Sequence, residues 1–522
     1  MKRLLIITIC ILNLNNSFGQ VSSVDELDSK YINWFNLDYQ IDGLLGTSVN
    51  QAYEYLKENP KESKTVIVAV IDSGVDIDHE DLKGNIWINE DEIPNNNIDD
   101  DGNGYIDDIH GWNFIGNSNG ENVFYENLEY TRIIRQNDVG NPNLSKAKDL
   151  YDAELSKRES EKESIEKFER AFNKAKSIIK SNTGVSVKSA QDLATINSND
   201  QQVMAAKRFL QDRYSSGFTE EALANLINSN NEYLNYFLNI DFEARDLIGD
   251  DPNDITDKFY GNPDVKGPRS NHGTSVAGII GANRNNSIGI NGIAENVKIM
   301  CIRSTPRGDE RDKDVALGIY YAVENGADII NMSFGKEFSP HKKFIDDAVK
   351  YAEEKGVLMI HGSGNSGNNI DLEESYPSDR YLDGSEASNW LNVGASTLNL
   401  DDEVAAVFSN YGQNHVDLFA PGVNIISTDS SSTYSMNAGT SLSAPIVTGI
   451  SALILSYYPN LEPSELIDIL LNSSFKFSKP RRVLKPTLTE EKRGKIKFTE
   501  LSKSGGIINA YNALLAAEEM SE

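Results

Sequence analysis

Cysteine is almost missing from this chain of 522 residues: only Cys10 and Cys301 occur. Histidine is scarce too, with six in all: His79, His110, His272, His341, His361 and His415. None forms a His-Glu-x-x-His pair, so zinc-peptidase chemistry has no support. Positive charge is also short. There are 49 Lys and Arg against 79 Asp and Glu, a formal net charge of −30. Such acidity speaks against nucleic acid as a partner and against docking on anionic membranes. It favours solubility and cation binding.

Apolar runs long enough to cross a bilayer are lacking. The nearest is at the N-terminus, where Met1-Lys-Arg precedes apolar Leu4 to Leu12 and Ser17-Phe-Gly19 closes in a small-x-small pattern. Residues 1–19 are read as a secretory signal peptide, too short to span stably. This predicts a secreted or periplasmic product without stable membrane insertion. Removing the leader takes away Lys2, Arg3 and no acid, moving the net charge from −30 to −32. Cys301 would then stand alone, so no intramolecular disulfide is possible. A secreted chain needs another staple, and bound metal is the candidate.

What is present is more specific. Thr65-Val-Ile-Val-Ala-Val-Ile71 is a continuous β-branched run, read as a strand buried on both faces, and Asp72 follows at its carboxyl end. In open α/β sheets the functional crevice lies at that end. His272 opens the small-residue stretch His-Gly-Thr-Ser-Val-Ala-Gly-Ile-Ile-Gly-Ala, read as a helix that packs closely on a sheet. Ser441 precedes Ala-Pro-Ile-Val-Thr-Gly-Ile, where Pro445 is expected in the first turn of a helix. Ser441 would then lie near a helix N-terminus, which favours developing negative charge. A serine hydroxyl is a weak nucleophile; it needs a base, and the base needs an orienting carboxylate.

These stretches resemble the subtilisin-like serine proteases, the subtilase family. The resemblance implies Asp72 as orienting carboxylate, His272 as general base and then acid, and Ser441 as nucleophile. It also implies that Asn365, in His361-Gly-Ser-Gly-Asn-Ser-Gly, binds the oxyanion. Ser333, Phe334 and Gly335 resemble the strand that holds substrate backbone along the cleft, and Gly362, Ser363 and Gly364 are the further substrate-binding residues that the resemblance implies. Three departures from the family pattern bear on substrate preference. Ser275 stands where a second histidine is usual, Leu442-Ser443 where Met-Ala is usual, and Gly362-Ser363 where two alanines are usual. His361 is read as a packed residue at a strand end.

Asp99-Asp-Asp-Gly-Asn-Gly-Tyr-Ile-Asp-Asp has oxygen ligands at alternate positions and a glycine at the sixth, the spacing of an EF-hand-like loop. Asp99, Asp101, Asn103, the Tyr105 carbonyl and Asp107 are the predicted calcium ligands. His110 occupies the twelfth position, so the usual bidentate glutamate is missing, and Asp108 or a distant residue is expected in its place. A second calcium site is implied by the resemblance alone, from Asp81, Asn286 and the carbonyls of Ile288 and Ile290. Both are structural; no cofactor is expected in catalysis.

The expected fold is α/β: a three-layer subtilisin-like domain with a mainly parallel sheet, plus an inserted helical segment. Residues 20–64 form an N-terminal extension packing on the catalytic domain. The peptidase domain covers 65–125 and 246–522, and 126–245 is the helical insertion. Asp72 and His272 stand 200 positions apart because of that insertion. Its apolar stripes are Ile165, Phe168, Phe172, Ala175 and Ile179, then Val203, Ala206, Leu210 and Tyr214, then Leu223, Leu226, Ile227, Tyr233 and Phe237. It is either a lid that restricts large substrates or a surface decoration. Charged Arg303 to Asp312 is either a selector of charged substrate residues or a solvated loop.

The function expected is endopeptidase cleavage of protein or peptide substrates through an acyl-enzyme at Ser441. A dedicated processing peptidase, a dead binding scaffold and a peptide ligase are the rivals. No motif bears on oligomeric state.

Overall fold

A computed structural model describes residues 20–284, 286–489 and 493–521. The leader reading for 1–19, with Cys10, lies outside these residues.

Seven strands form one sheet: β1 (Val66–Asp72), β2 (Gly111–Asn113), β3 (Val297–Arg303), β4 (Ile329–Met332), β5 (Leu358–Gly362), β6 (Trp390–Ser396) and β7 (Leu418–Pro421). Their order is β2-β3-β1-β4-β5-β6-β7. All six pairings are parallel. The β1 run alternates between two cores. Val66, Val68 and Val70 join one apolar cluster with the helices Asn271–Gly281 and Thr440–Tyr457. Ala69 and Ile71 join another with Asp312–Glu324 and Lys342–Glu354. Helices thus cover both faces, which is why these strands read as continuous apolar runs. The architecture is the three-layer α/β one that the sequence predicts.

Two local expectations change. The Thr440–Tyr457 helix has Pro445 at its sixth position, not in its first turn. A proline there has no N–H to give to the carbonyl four residues back, which belongs to Ser441. That same helix is also long and apolar enough, by length and composition, to cross a membrane, so the expectation that no such run exists beyond the leader is corrected. It is a buried core helix.

The N-terminal residues are well packed. Trp34, Phe35 and Val49 are buried in the same cluster as β1, and the Trp34 indole N–H donates to the Asn424 carbonyl at 2.9 Å. Val21 exchanges backbone hydrogen bonds with Tyr434, on the ribbon formed by Ile425–Asp429 and Thr433–Asn437.

Two compact units divide the chain: Met1–Phe124 with Ala244–Glu522, and Tyr125–Glu243. The second is helical, with Glu129–Gln136, the 40-residue Leu144–Thr183, Ala190–Ala194, Gln201–Ser215 and Glu220–Glu232. Its core joins Phe172, Ala175 and Ile179 to Leu193, Val203, Ala206 and Leu210. The third predicted stripe is weaker: Leu223, Leu226 and Ile227 are only half-buried, while Phe237 is buried.

Candidate active site

Asp72, Ser333 and Gly362 lie at the carboxyl ends of β1, β4 and β5, while His272 and Ser441 lie in the first turns of helices. Asp72 ends β1 and is buried, with its Oδ1 accepting the Ser73 N–H at 2.6 Å. His272 is the second residue of the Asn271–Gly281 helix, and its Nδ1 lies 2.8 and 3.0 Å from the two Asp72 oxygens. That contact fixes the ring and leaves Nε2 as the nitrogen available for proton transfer. Close approach makes it possible: a Cβ on Gly273 would lie 2.2 Å from the Gly74 carbonyl oxygen and 3.2 Å from the Asp72 Cβ.

Ser441 lies in the first turn of the Thr440–Tyr457 helix. Asn365 is pinned to that turn: its Oδ1 accepts from the Thr440 N–H at 2.9 Å and the Thr440 hydroxyl at 3.0 Å. With the oxygen so engaged, the amide N–H2 is left to face elsewhere. A Cβ added to Gly439 would lie 2.9 Å from Ser441 Oγ, 3.6 Å from Asn365 Nδ2 and 3.7 Å from the Ser441 N. The hydroxyl and two N–H donors therefore converge on one small volume, which only a glycine at 439 leaves free.

The two cleft segments are held from behind. Ser333 Oγ accepts from buried Asn331 Nδ2 at 3.0 Å, and Asn331 Oδ1 accepts from Thr448 at 2.9 Å. Phe334 presents its carbonyl to His361. Gly335 could not carry a Cβ without approaching the Tyr376 carbonyl to 3.0 Å. On the other side, Gly362 ends β5, and Gly364 N–H donates to the Thr440 hydroxyl. Ser363 exchanges bonds with Asn410, its hydroxyl donating to the Asn410 carbonyl and its own carbonyl accepting from Asn410 Nδ2. Asn410 Oδ1 also accepts from the Ser366 and Asn368 N–H groups. Sequence reasoning missed Asn410 because it lies 45 positions from Asn365 in no motif of its own.

The unusual residues are accommodated. The Ser275 hydroxyl donates to the Thr428 carbonyl at 2.7 Å, and Ser443 lies 3.1 Å from the carbonyls of Ala420 and Pro421. The charged 303–312 stretch is not a solvated loop: Arg303, Asp309, Glu310 and Asp312 are buried. Arg303 donates to Ser73 O, Asn113 Oδ1 and Val123 O, so it braces the backbone beside Asp72. Burial lowers its guanidinium to about 10.

At the acidic loop, Asp99 and Asp101 converge with Glu92, their oxygens within 4.8 Å of one another. Glu92 was not predicted; it lies seven positions ahead of the loop template and is buried. Burial pushes its carboxyl up, with Asp108 and Asp101 adding to the push. Asp107 instead accepts from the N–H groups of Asn96 and Asn97. Asn103 gives its amide nitrogen to Asp101 and Asp108, and its oxygen accepts the Tyr105 N–H. At the other predicted site, buried Asp81 accepts from Asn286 Nδ2 at 2.6 Å and Ile290 N at 2.9 Å. Burial raises this carboxyl too. Ile288 N–H donates to Asn286 Oδ1. Gly289 has φ +58, and a Cβ there would lie 2.0 Å from Asp81 Oδ2.

A parallel α/β sheet with an Asp–His pair and a serine at a helix N-terminus is the arrangement of a serine hydrolase. Comparison with known proteins narrows the class. The subtilase family profile matches residues 63–499, and the chain belongs to that family. It is 37% identical over 204 residues to a thermophilic serine proteinase of Bacillus sp. (strain AK1), covering 39% of this chain and 46% of that one. It is 34% identical over 231 residues to an extracellular basic protease of Dichelobacter nodosus, covering 40% and 36%. Subtilisin Savinase of Lederbergia lenta is 36% identical over 204 residues, covering 39% and 70%. The chain thus spans less than half the length of the first two relatives.

Proposed function

We propose that this chain is a secreted serine endopeptidase hydrolysing peptide bonds in protein or peptide substrates. The observation that carries the reading is the 2.8 Å Asp72–His272 contact within a subtilase fold whose Ser441 hydroxyl shares one small volume with the Asn365 amide.

His272 Nε2 takes the Ser441 proton as Oγ attacks the scissile carbonyl. The Ser441 N–H and Asn365 Nδ2 hold the oxyanion, a role worth most when the donors are preorganised. His272 then protonates the leaving amine, the acyl-enzyme forms, and water activated by the same imidazole releases the product. Ser333–Gly335 and Gly362–Gly364 align substrate backbone along the cleft.

The peptidase domain, in this reading, comprises 65–125 and 246–522, with 20–64 as its N-terminal extension and 126–245 as its helical insertion. Structural calcium is the proposed occupant of both predicted sites. At the acidic loop three convergent carboxylates repel one another without a cation, and an all-oxygen donor set suits that hard ion. At Asp81 an ion would displace the N–H groups of Asn286 and Ile290 whose hydrogen bonds its carboxylate now accepts. Glu92, Asp99 and Asp101 would hold one ion; Asp81, Asn286 and the carbonyls of Ile288 and Ile290 would hold the other. The ions would stabilise the fold and take no part in bond breaking.

The test is intact mass after a serine-reactive fluorophosphonate, with calcium present, on wild type and Ser441→Ala. One adduct on wild type and none on the variant is expected. No adduct on folded, calcium-loaded wild type defeats the reading.

A further inference from the structure

His361 is one of two buried imidazoles, with His79, that the proposed mechanism leaves unused. It lies on β5 between two parallel neighbours, opposite Met332 of β4 and Asn392 of β6. Its Nε2 is 2.7 Å from the Phe334 carbonyl oxygen, on the segment read above as a cleft wall. Its Nδ1 is 2.9 Å from Asn392 Oδ1. The identity of that second atom is fixed independently: the Trp390 indole N–H donates to it at 3.1 Å, so it is oxygen and not the amide nitrogen. Both ring nitrogens therefore face acceptors.

A neutral imidazole carries one N–H, and an imidazolium carries two. In the neutral ring one proton serves two acceptors. When it is on Nε2, Phe334 is held and two lone pairs oppose each other at Asn392. When it is on Nδ1, Phe334 is released. Protonation removes the contest. We propose that His361 is a positioning residue for the Ser333–Gly335 cleft strand, holding it through the Phe334 carbonyl, and that its second proton tightens that hold as pH falls.

The surrounding charges are few. Asp379, Arg380 and His415 line a small cavity with His361, Ser363 and Asn392. Asp379 Oδ1 is buried without a hydrogen-bond partner. Beyond Asn392, its N–H donates to Asp417, which pairs with Lys503. The strands flanking His361 bring no ionisable side chain of their own. Burial lowers the His361 pKa, so its second proton arrives on the acid side of neutrality.

This inference rests on the peptidase reading only for what the strand does; the ring contacts can be read without activity. The experiment compares wild type, His361→Ala and His361→Gln. It measures KM and kcat for an extended peptide across pH, the rate of fluorophosphonate labelling of Ser441, and imidazole ¹⁵N spectra of wild type. The Ala variant is expected to raise KM about tenfold, the scale of one lost hydrogen bond, while labelling changes less than twofold. Gln carries an N–H2 that reaches Phe334 and does not titrate. It should recover most of the KM and lose the fall in KM that wild type shows on acidification. The ¹⁵N spectra should show Nε2 protonated first and both nitrogens protonated at lower pH.

An unchanged KM in the Ala variant, or a rise that Gln does not recover, overturns the proposal. So does a ring protonated only at Nδ1, a result open even if the Ala variant fails to fold. Failure of wild type to label would defeat the peptidase reading instead, leaving the ¹⁵N result to decide the ring's role.

Discussion

The two compact units handle polar side chains in opposite ways. In the unit built on the parallel sheet, Asp72, Arg303, Lys313, Asn331, Asn392 and Asp417 are all buried. In Tyr125–Glu243, much of the charge lies in surface pairs along one long helix, such as Lys167–Glu163 and Arg170–Glu166, both i,i+4. A small charged knot is buried there, where Arg132 pairs with Glu129 and Glu126. Surface pairs contribute a few tenths of a kcal/mol each and specify little. Buried polar groups are costly unless fully paired, but they fix orientation. The sheet unit carries such groups where the proposed catalytic geometry has to be held; among the described residues the helical unit buries fewer polar side chains, such as Asn127, Thr131 and Asn230 beside that knot.

That contrast can be broken most sharply at Ser441. Ser441→Ala should lower kcat on the order of 10⁶-fold, a scale already measured for subtilisin rather than derived for this chain. Steady-state hydrolysis of a chromogenic peptide reads it. A loss below a hundredfold would mean that catalysis lies elsewhere. Next is Asn365→Ala, expected to reduce kcat by about 10²–10³, again a subtilisin scale, with KM little changed. A pure KM effect would remove Asn365 from the oxyanion role.

Calcium separates the units by stability. At a thousandfold excess over Kd, bound ion adds about 4 kcal/mol, and chelation should lower Tm by roughly 5 °C. Both predicted sites lie in the sheet unit, so amide exchange should accelerate around Asp81 and Asp99 and stay constant in Leu144–Thr183. An unchanged melting curve with metal verified absent would count against both sites.

Asp417 sharpens the comparison further. Burial lifts its carboxyl from 3.8 to about 6, against the pull of Lys503. The folded state then keeps a proton that the unfolded state gives up. Stability from this group is present below about pH 4 and falls as pH rises towards 6, by roughly 3 kcal/mol. Asp417→Asn should flatten the dependence in that window, as urea titrations at pH 4 and 6 would report. If wild type loses no stability relative to Asp417→Asn between pH 4 and pH 6, the sign is contradicted.

The smallest expected effect is from excision. Replacing 130–242 with a short linker should leave kcat/KM for a tripeptide within about threefold, because the sheet unit carries every proposed catalytic group. A rise in cleavage of folded proteins relative to that peptide supports a lid. An unchanged ratio favours decoration.

Motifs exposed the predicted catalytic residues because each lies at the end of a patterned element. Asp72 closes a β-branched run, His272 opens a small-residue helix, and Ser441 stands in a Gly-Thr-Ser turn before an apolar helix. The supporting residues were not legible. Asn410, Arg303 and Glu92 act through contacts with residues far along the chain or outside the loop template, and polarity alone left Arg303 between a substrate selector and a solvated loop. Pro445 misled by one turn, since the helix begins at Thr440 and tolerates the missing bond to Ser441.

The sequence by itself determined the layer order and the family. Alternating burial needs continuous apolar strands, and close helix packing needs small residues; both are local patterns. Only the tertiary structure decided which polar atoms meet. Whether His361 faces two acceptors, whether Asn365 turns its amide nitrogen towards Ser441, and whether Glu92 joins Asp99 depend on atoms brought within 3–5 Å by distant strands and loops. No periodicity in the chain encodes those distances, because they are set by how whole elements pack.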